Sequence, residues 1–156
     1  MTETEALTTL AGPDPARARQ AEAALWAMWC RSGRPELDRR LAEAVAAMEG
    51  RDFSGAERLL TALVEAAPDW AEAWNKRATV RYLAENYDGS IADCRETLTR
   101  KPHHFGALSG QGLCHMALGQ FAPAAALFRR ALAVHPHLEA VRQNLRAALS
   151  EVVRYN

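Results

Sequence analysis

Valine and isoleucine are scarce in this chain, with 8 among 156 residues. Branched side chains of this kind pack well on a pleated surface, so a sheet has little to be built from. An excess of one charge is missing too: 19 Lys and Arg match 19 Asp and Glu. That balance excludes a disordered polyelectrolyte and the basic footprint of a nucleic-acid binder. No apolar run approaches the roughly 18 residues that a membrane-spanning helix needs. The first ten residues, Met1 to Leu10, are acidic and lack the apolar core of a secretory signal. Three cysteines (Cys30, Cys94 and Cys114) make no even-numbered disulfide framework. These absences lead to the expectation of a reduced, cytoplasmic protein. What is abundant is alanine and leucine, 32 and 18 residues. Both lose little freedom in a helix, so the composition favours an all-helical chain. A chain of this length removes roughly 70% of its unfolded surface from water, enough for one core.

The strongest signal is an internal period. Pro68, Pro102 and Pro136 stand 34 residues apart. The same interval separates small residues at Ala44, Ala78 and Gly112, aromatics at Phe53, Tyr87 and Phe121, and small residues at Ala56, Ser90 and Ala124. It also separates Leu60, Cys94 and Phe128, and Val64, Leu98 and Leu132. Six registers agreeing on one interval exclude coincidence. The physics is coherent. Small residues let paired helices approach, larger ones fill the space between units, and proline closes the second helix because it lacks an N–H and disfavours helix before it. Each unit leaves an apolar face uncovered, so neighbours must stack.

Period and residue types resemble the tetratricopeptide repeat (TPR), a helix–turn–helix unit. With units beginning at residues 37, 71 and 105, Trp74 and Leu108 occupy position 4 and the three prolines occupy position 32. Arg40, Leu63 and Cys94 depart from the pattern at single positions. Stretches such as Trp70 to Thr79 and His104 to Gly110 are similar to small bacterial proteins with this repeat. The resemblance implies a right-handed helical-hairpin solenoid, all-α, with repeats at 37–70, 71–104 and 105–138.

The ends are expected to finish the stack. Residues 1–13 read as a flexible tail. Asp14-Pro15 reads as a helix cap followed by proline at the first helical position, opening a capping helix over 14–33. Counting back one period puts Trp26 at position 24, plugging the first repeat, and Glu22 at position 20, facing water. At the other end, Leu138, Val141, Leu145, Ala148, Leu149 and Val152 form an apolar stripe at helical spacing. A second capping helix therefore spans 139–154, making eight helices and a single domain over 14–156.

Little in the sequence carries catalytic chemistry. His103, His104, His135 and His137 fall in equivalent loops, with Asp69 one period earlier, but their spacing matches no zinc signature. Cys114 and His115 are helical neighbours about 100° apart and cannot face each other as nucleophile and base. The expectation is no enzyme, no cofactor and no metal site. Gly106 and Gly110 lie in a helix, where each costs roughly 1 kcal/mol against alanine. Two explanations stand: close approach of a neighbouring helix, or a shallow pocket. Arginines such as Arg58, Arg129 and Arg130, dispersed among acids such as Glu57, Asp93 and Glu96, read as solvated. Trp70, in the turn after Pro68-Asp69, has no assigned role.

The resemblance also implies a concave groove lined by the first helix of each unit. Its lane reads Leu41, Val45 and Met48, then Asn75, Lys76, Thr79 and Tyr82, then Ser109, Leu113 and Met116. Apolar anchors beside hydrogen-bonding groups suit a peptide or protein segment. The partner expected is neutral or basic with apolar side chains, and neither nucleic acid nor membrane. A subfamily that clamps acidic chaperone tails needs Lys and Asn where this chain has Leu41 and Val45, and basic groups where it has Gly106 and Gly110. That clamp is excluded. Two alternatives remain open: self-assembly into homo-oligomers, and a groove filled by the chain's own Leu7–Leu10 segment.

Overall fold

A computed structural model of the chain describes residues 1–155. Among these residues there are nine α-helices and no strand. They are α1 (Glu3–Leu10), α2 (Pro15–Trp29), α3 (Pro35–Glu49), α4 (Phe53–Ala66), α5 (Ala71–Leu83), α6 (Tyr87–Arg100), α7 (Phe105–Ala117), α8 (Phe121–Val134) and α9 (Glu139–Tyr155). The pairs α3–α4, α5–α6 and α7–α8 are the three expected hairpins.

The ninth helix is α1, where a flexible tail was expected. Its nucleus is a capping box: Thr2 accepts from the Glu5 N–H, and the Glu5 carboxylate accepts from the Thr2 N–H. Two backbone donors that a short helix leaves unpaired are thereby satisfied. These bonds also hold the Glu5 carboxyl below its ordinary range.

Each hairpin turn is built alike. Arg51, Glu85 and Gly119, one period apart, all adopt positive φ of 63°, 63° and 73°. The N–H three residues past each helix reaches back to a carbonyl inside its last turn: Asp52 to Ala47, Asn86 to Arg81 and Gln120 to His115. This is the Schellman termination. Asp52 and Asn86 then cap the second helices by accepting from the Gly55 and Gly89 N–H groups. A Cβ at either glycine would stand within 2.5 Å of the capping side chain.

The chain divides into two compact units, one of Trp29–Pro102 and one of Met1–Met28 with the residues from His103 onward. A single domain over 14–156 was the expectation. In the first unit, Leu37, Leu41, Ala44, Ala56, Leu60, Leu63, Val64, Ala73 and Val80 form one buried cluster. The small residues mark the helix contacts: Ser90 donates its hydroxyl across its hairpin to the Ala78 carbonyl at 2.7 Å. Asp93, one of the acids among which the arginines are dispersed, is buried at 2% exposure. Arg77 holds both its oxygens at 2.9 Å, and Arg81 bridges it to Glu57. Burial is tolerable because the carboxylate is paired and fully hydrogen-bonded.

In the second unit, α7, α8 and α9 pack with a core that includes Leu108, Phe128, Val141 and Ala148. A Cβ at Gly112 would stand 2.5 Å from the Phe128 ring, so the glycine exists to admit that ring. From α1 and α2, Ala6, Leu10, Ala18, Ala21 and Leu25 have no exposed surface. Here the reading of Trp26 is corrected. Its ring stands edge-on to His104 and Phe105 of the third repeat, at 5.4 and 5.3 Å. Counting back one period assumed that α2 continues the stack. Edge-to-face ring contacts hold Trp26 on the third repeat.

Candidate interaction faces

The first helices of the repeats carry the candidate site, and each unit presents its own part. In the unit of Trp29–Pro102 these helices are α3 and α5. Leu41 is not available as a groove anchor: it is 4% exposed and belongs to the core. Val45 and Met48 are half-buried, and Met48 lies against that core. Asn75 is also withdrawn, at 6% exposure, with its amide donating to the Glu72 carboxylate at 2.9 Å. Glu72 is itself fully buried and pairs with Lys76 at 3.2 Å. The sequence reading treated Asn75 as free to meet a ligand backbone, and missed that Glu72, one turn earlier, needs a partner inside. Thr79 turns its hydroxyl to the Asn75 carbonyl, and Tyr82 tilts against Tyr87 with ring centres 5.7 Å apart. Lys76, Thr79 and Tyr82 are half-buried. Burial pushes the Cys30 thiol up, and the Glu72 charge adds to it.

Trp70 also gains a role. Its indole N–H donates to the Trp29 carbonyl at 2.8 Å, satisfying a carbonyl that the end of α2 leaves open. Beside it lies a cleft of about 390 Å³ lined by Arg31, Ser32, Arg34, Leu37 and the segment from Ala66 to Trp70. Ser32 donates to Asp38 through both its N–H and hydroxyl, holding that carboxyl below its ordinary range.

In the other unit the face belongs to α7. Ser109 returns its hydroxyl to the Phe105 carbonyl, and Leu113 and Met116 are half-buried. Gly106 does make space, but the Trp26 ring occupies it: a Cβ there would stand 2.8 Å from Cη2 of that ring. Of the two explanations open for this glycine, close approach of a helix is the one realised. A second cleft, of about 470 Å³, is lined by Thr4, Leu7, Thr8, Ala11, His103, Ala133 and Val134, away from the residues chosen on α7.

The four loop histidines do not converge. His104 is buried as the cap of α7, its Nδ1 accepting from the Ala107 N–H. His137 Nε2 meets the Gly12 carbonyl at 2.7 Å. His135 is buried with Nε2 3.4 Å from the Glu22 carboxylate. Burial depresses its pKa, with Glu22 opposing. Among the described residues no three His, Cys, Asp or Glu side chains cluster as metal ligands. Cys114 is buried, and His115 bonds to Gln120 through Nδ1 at 2.6 Å.

A family model described as tetratricopeptide repeat matches residues 41–105 and 95–138. The chain belongs to the tetratricopeptide repeat family. A TPR repeat-containing protein of Rhizobium etli is 34% identical over 97 residues, which is 62% of this chain and 48% of that protein. The chain thus matches about half the length of that curated relative. Among solved TPR structures, the Sgt2 TPR domain of Aspergillus fumigatus superposes with a TM-score of 0.75 at 20% identity, covering 79% of this chain and 83% of that one. The TPR2B domain of yeast Sti1, in a pHsp70 complex, gives 0.72 at 17% identity, covering 76% and 99%. The Yersinia enterocolitica type III secretion chaperone SycD, with a peptide of the translocator YopD, gives 0.71 at 14% identity, covering 76% and 95%. The fold class is therefore that of TPR helical-hairpin solenoids, all-α as expected. No described helix is long and apolar enough to cross a membrane.

Proposed function

We propose that this chain is a non-catalytic interaction module that binds a protein or peptide segment on the first-helix faces of its TPR units. The observation that carries the reading is Trp26. A side chain from outside the repeats sits on α7, in the space left by Gly106. The face thus accepts an aromatic group presented by another helix. Solved relatives of the same fold hold partners: SycD a peptide of YopD, and the yeast Sti1 domain a pHsp70 partner. On α3 and α5 the partner-facing groups are Val45, Met48, Lys76, Thr79 and Tyr82; on α7 they are Ser109, Leu113 and Met116. The partner is neutral or basic there, because the charges beside these residues are Asp38, Glu49 and Glu72 against Lys76.

The test is capture of a partner from the native host, followed by titration against Met48→Ala/Tyr82→Ala. Loss of an aromatic anchor weakens binding by about 1–3 kcal/mol. Thermal melts control for folding, and mass in solution detects self-assembly. Full binding by the folded double variant sinks this placement; a protein whose only partner is itself favours the oligomer reading instead.

A further inference from the structure

We propose that the N-terminal arm, residues 1–28, is a built-in competitor for the α7 face. The outside partner of that face is then an amphipathic helix with a carboxylate four residues before an aromatic side chain. This rests on the reading of the repeats as a peptide-binding module.

The arm is bound as a ligand would be, through a few side chains over a narrow stripe. Ala18, Ala21 and Leu25 lie on one face of α2 and are wholly buried. Two of the three are alanines, so the helix comes close without interlocking large side chains. Specific recognition comes from two groups one turn apart. Trp26 fills the notch of His104, Phe105 and Gly106. Glu22 lies 3.4 Å from His135. His137, on the same loop, holds the Gly12 carbonyl at the head of α2.

Several features leave this docking open to replacement. Trp26 keeps part of its surface exposed, so a rival ring can reach the notch. His135 has no well-formed hydrogen bond at either ring nitrogen, although it is buried. A better-placed carboxylate would therefore bind it more favourably than Glu22 does. After α2 the chain passes Gly33, with φ of 84° and nothing within 4 Å of a Cβ position.

The test uses a fluorescent peptide of residues 14–30 of this chain, titrated against the full-length protein. Wild type, with its notch filled, is expected to bind the peptide at least tenfold more weakly than Trp26→Ala does. Adding Gly106→Leu, which fills the notch, is expected to abolish uptake by Trp26→Ala. A peptide with Ala in place of its own Trp is expected to lose at least tenfold. Circular dichroism checks that each variant folds. If Trp26→Ala does not, a protease site inserted beside Gly33 severs the arm together with residues 29–32, and uptake is read after cleavage and removal of the released fragment. A folded, arm-released protein that binds no better than wild type, or a Gly106→Leu chain that binds equally well, overturns the competitor. Either result leaves the titration at Met48 and Tyr82 untouched, so the two readings fail separately.

Discussion

Gly112 shows how one residue sets the packing of a repeat. Alanine is the better helix former by roughly 1 kcal/mol, so propensity alone predicts that Gly112→Ala stabilises. The Cβ, however, would meet a fully buried aromatic ring at 2.5 Å. Overpacking of that kind costs about 1–3 kcal/mol, so the expected sign is destabilisation, measurable by urea unfolding. Adding Phe128→Leu should recover most of the loss, because it reproduces the Ala44 and Leu60 combination of the first repeat. His135 supplies a second residue-scale prediction. Burial holds its folded pKa below the ordinary 6.5, so the unfolded chain takes up the proton first. Stability is then full above about pH 6.5 and falls on acidification, by at most about 1.4 kcal/mol per pH unit. His135→Gln should flatten the thermal-melt profile between pH 7.5 and 5.5. A profile identical to wild type would mean that this imidazole titrates normally. The sequence showed that His135 and His137 share a loop, but not what they meet. Glu22 and Gly12 lie more than a hundred residues away, and no periodicity links them.

At the scale of elements, the repeat helices were legible because they obey a period and the turns between them do too. Arg51, Glu85 and Gly119 occupy the same left-handed position, yet only one is glycine, so residue type alone concealed the turn. A non-glycine residue there carries about 1–2 kcal/mol of steric cost, offset in part by the larger entropy that glycine loses on folding. Glu85→Gly is therefore expected to raise stability by about 0.5–1 kcal/mol, read as an increased melting temperature with unchanged helical signal. A lower melting temperature would show that the Glu85 side chain contributes more than its backbone costs. Helix α1 was less legible. Its apolar content is small, and the capping box at Thr2 and Glu5 was not weighed as a helix start. The groove residues were half legible. Register placed Leu41 and Asn75 on the right helices, but burial depends on neighbours, and the demand of Glu72 for an internal partner has no periodic signature.

At the scale of the whole molecule, the N-terminal segment tests the architecture. The period placed α2 as a plug for the first repeat, whereas the structure groups residues 1–28 with those from His103 onward. The two arrangements make opposite predictions for a chain beginning at residue 29. If the arm covered the first repeat, its removal would expose α3 and α4 amides to exchange. With Trp26 on Phe105, Glu22 beside His135 and the Gly12 carbonyl on His137, removal exposes the start of α7 and the loop of His135 and His137. Local opening sets the exchange rate of each helix, so the effect is expected in contiguous segments rather than scattered residues. Hydrogen–deuterium exchange of wild type and the shortened chain should show faster exchange over residues 104–117 and 134–138. The same unit keeps α9, whose Val141 and Ala148 remain buried against the hairpin, so the shortened chain should stay helical. Unchanged exchange over residues 104–117 and 134–138 would remove the basis for a competitor on α7.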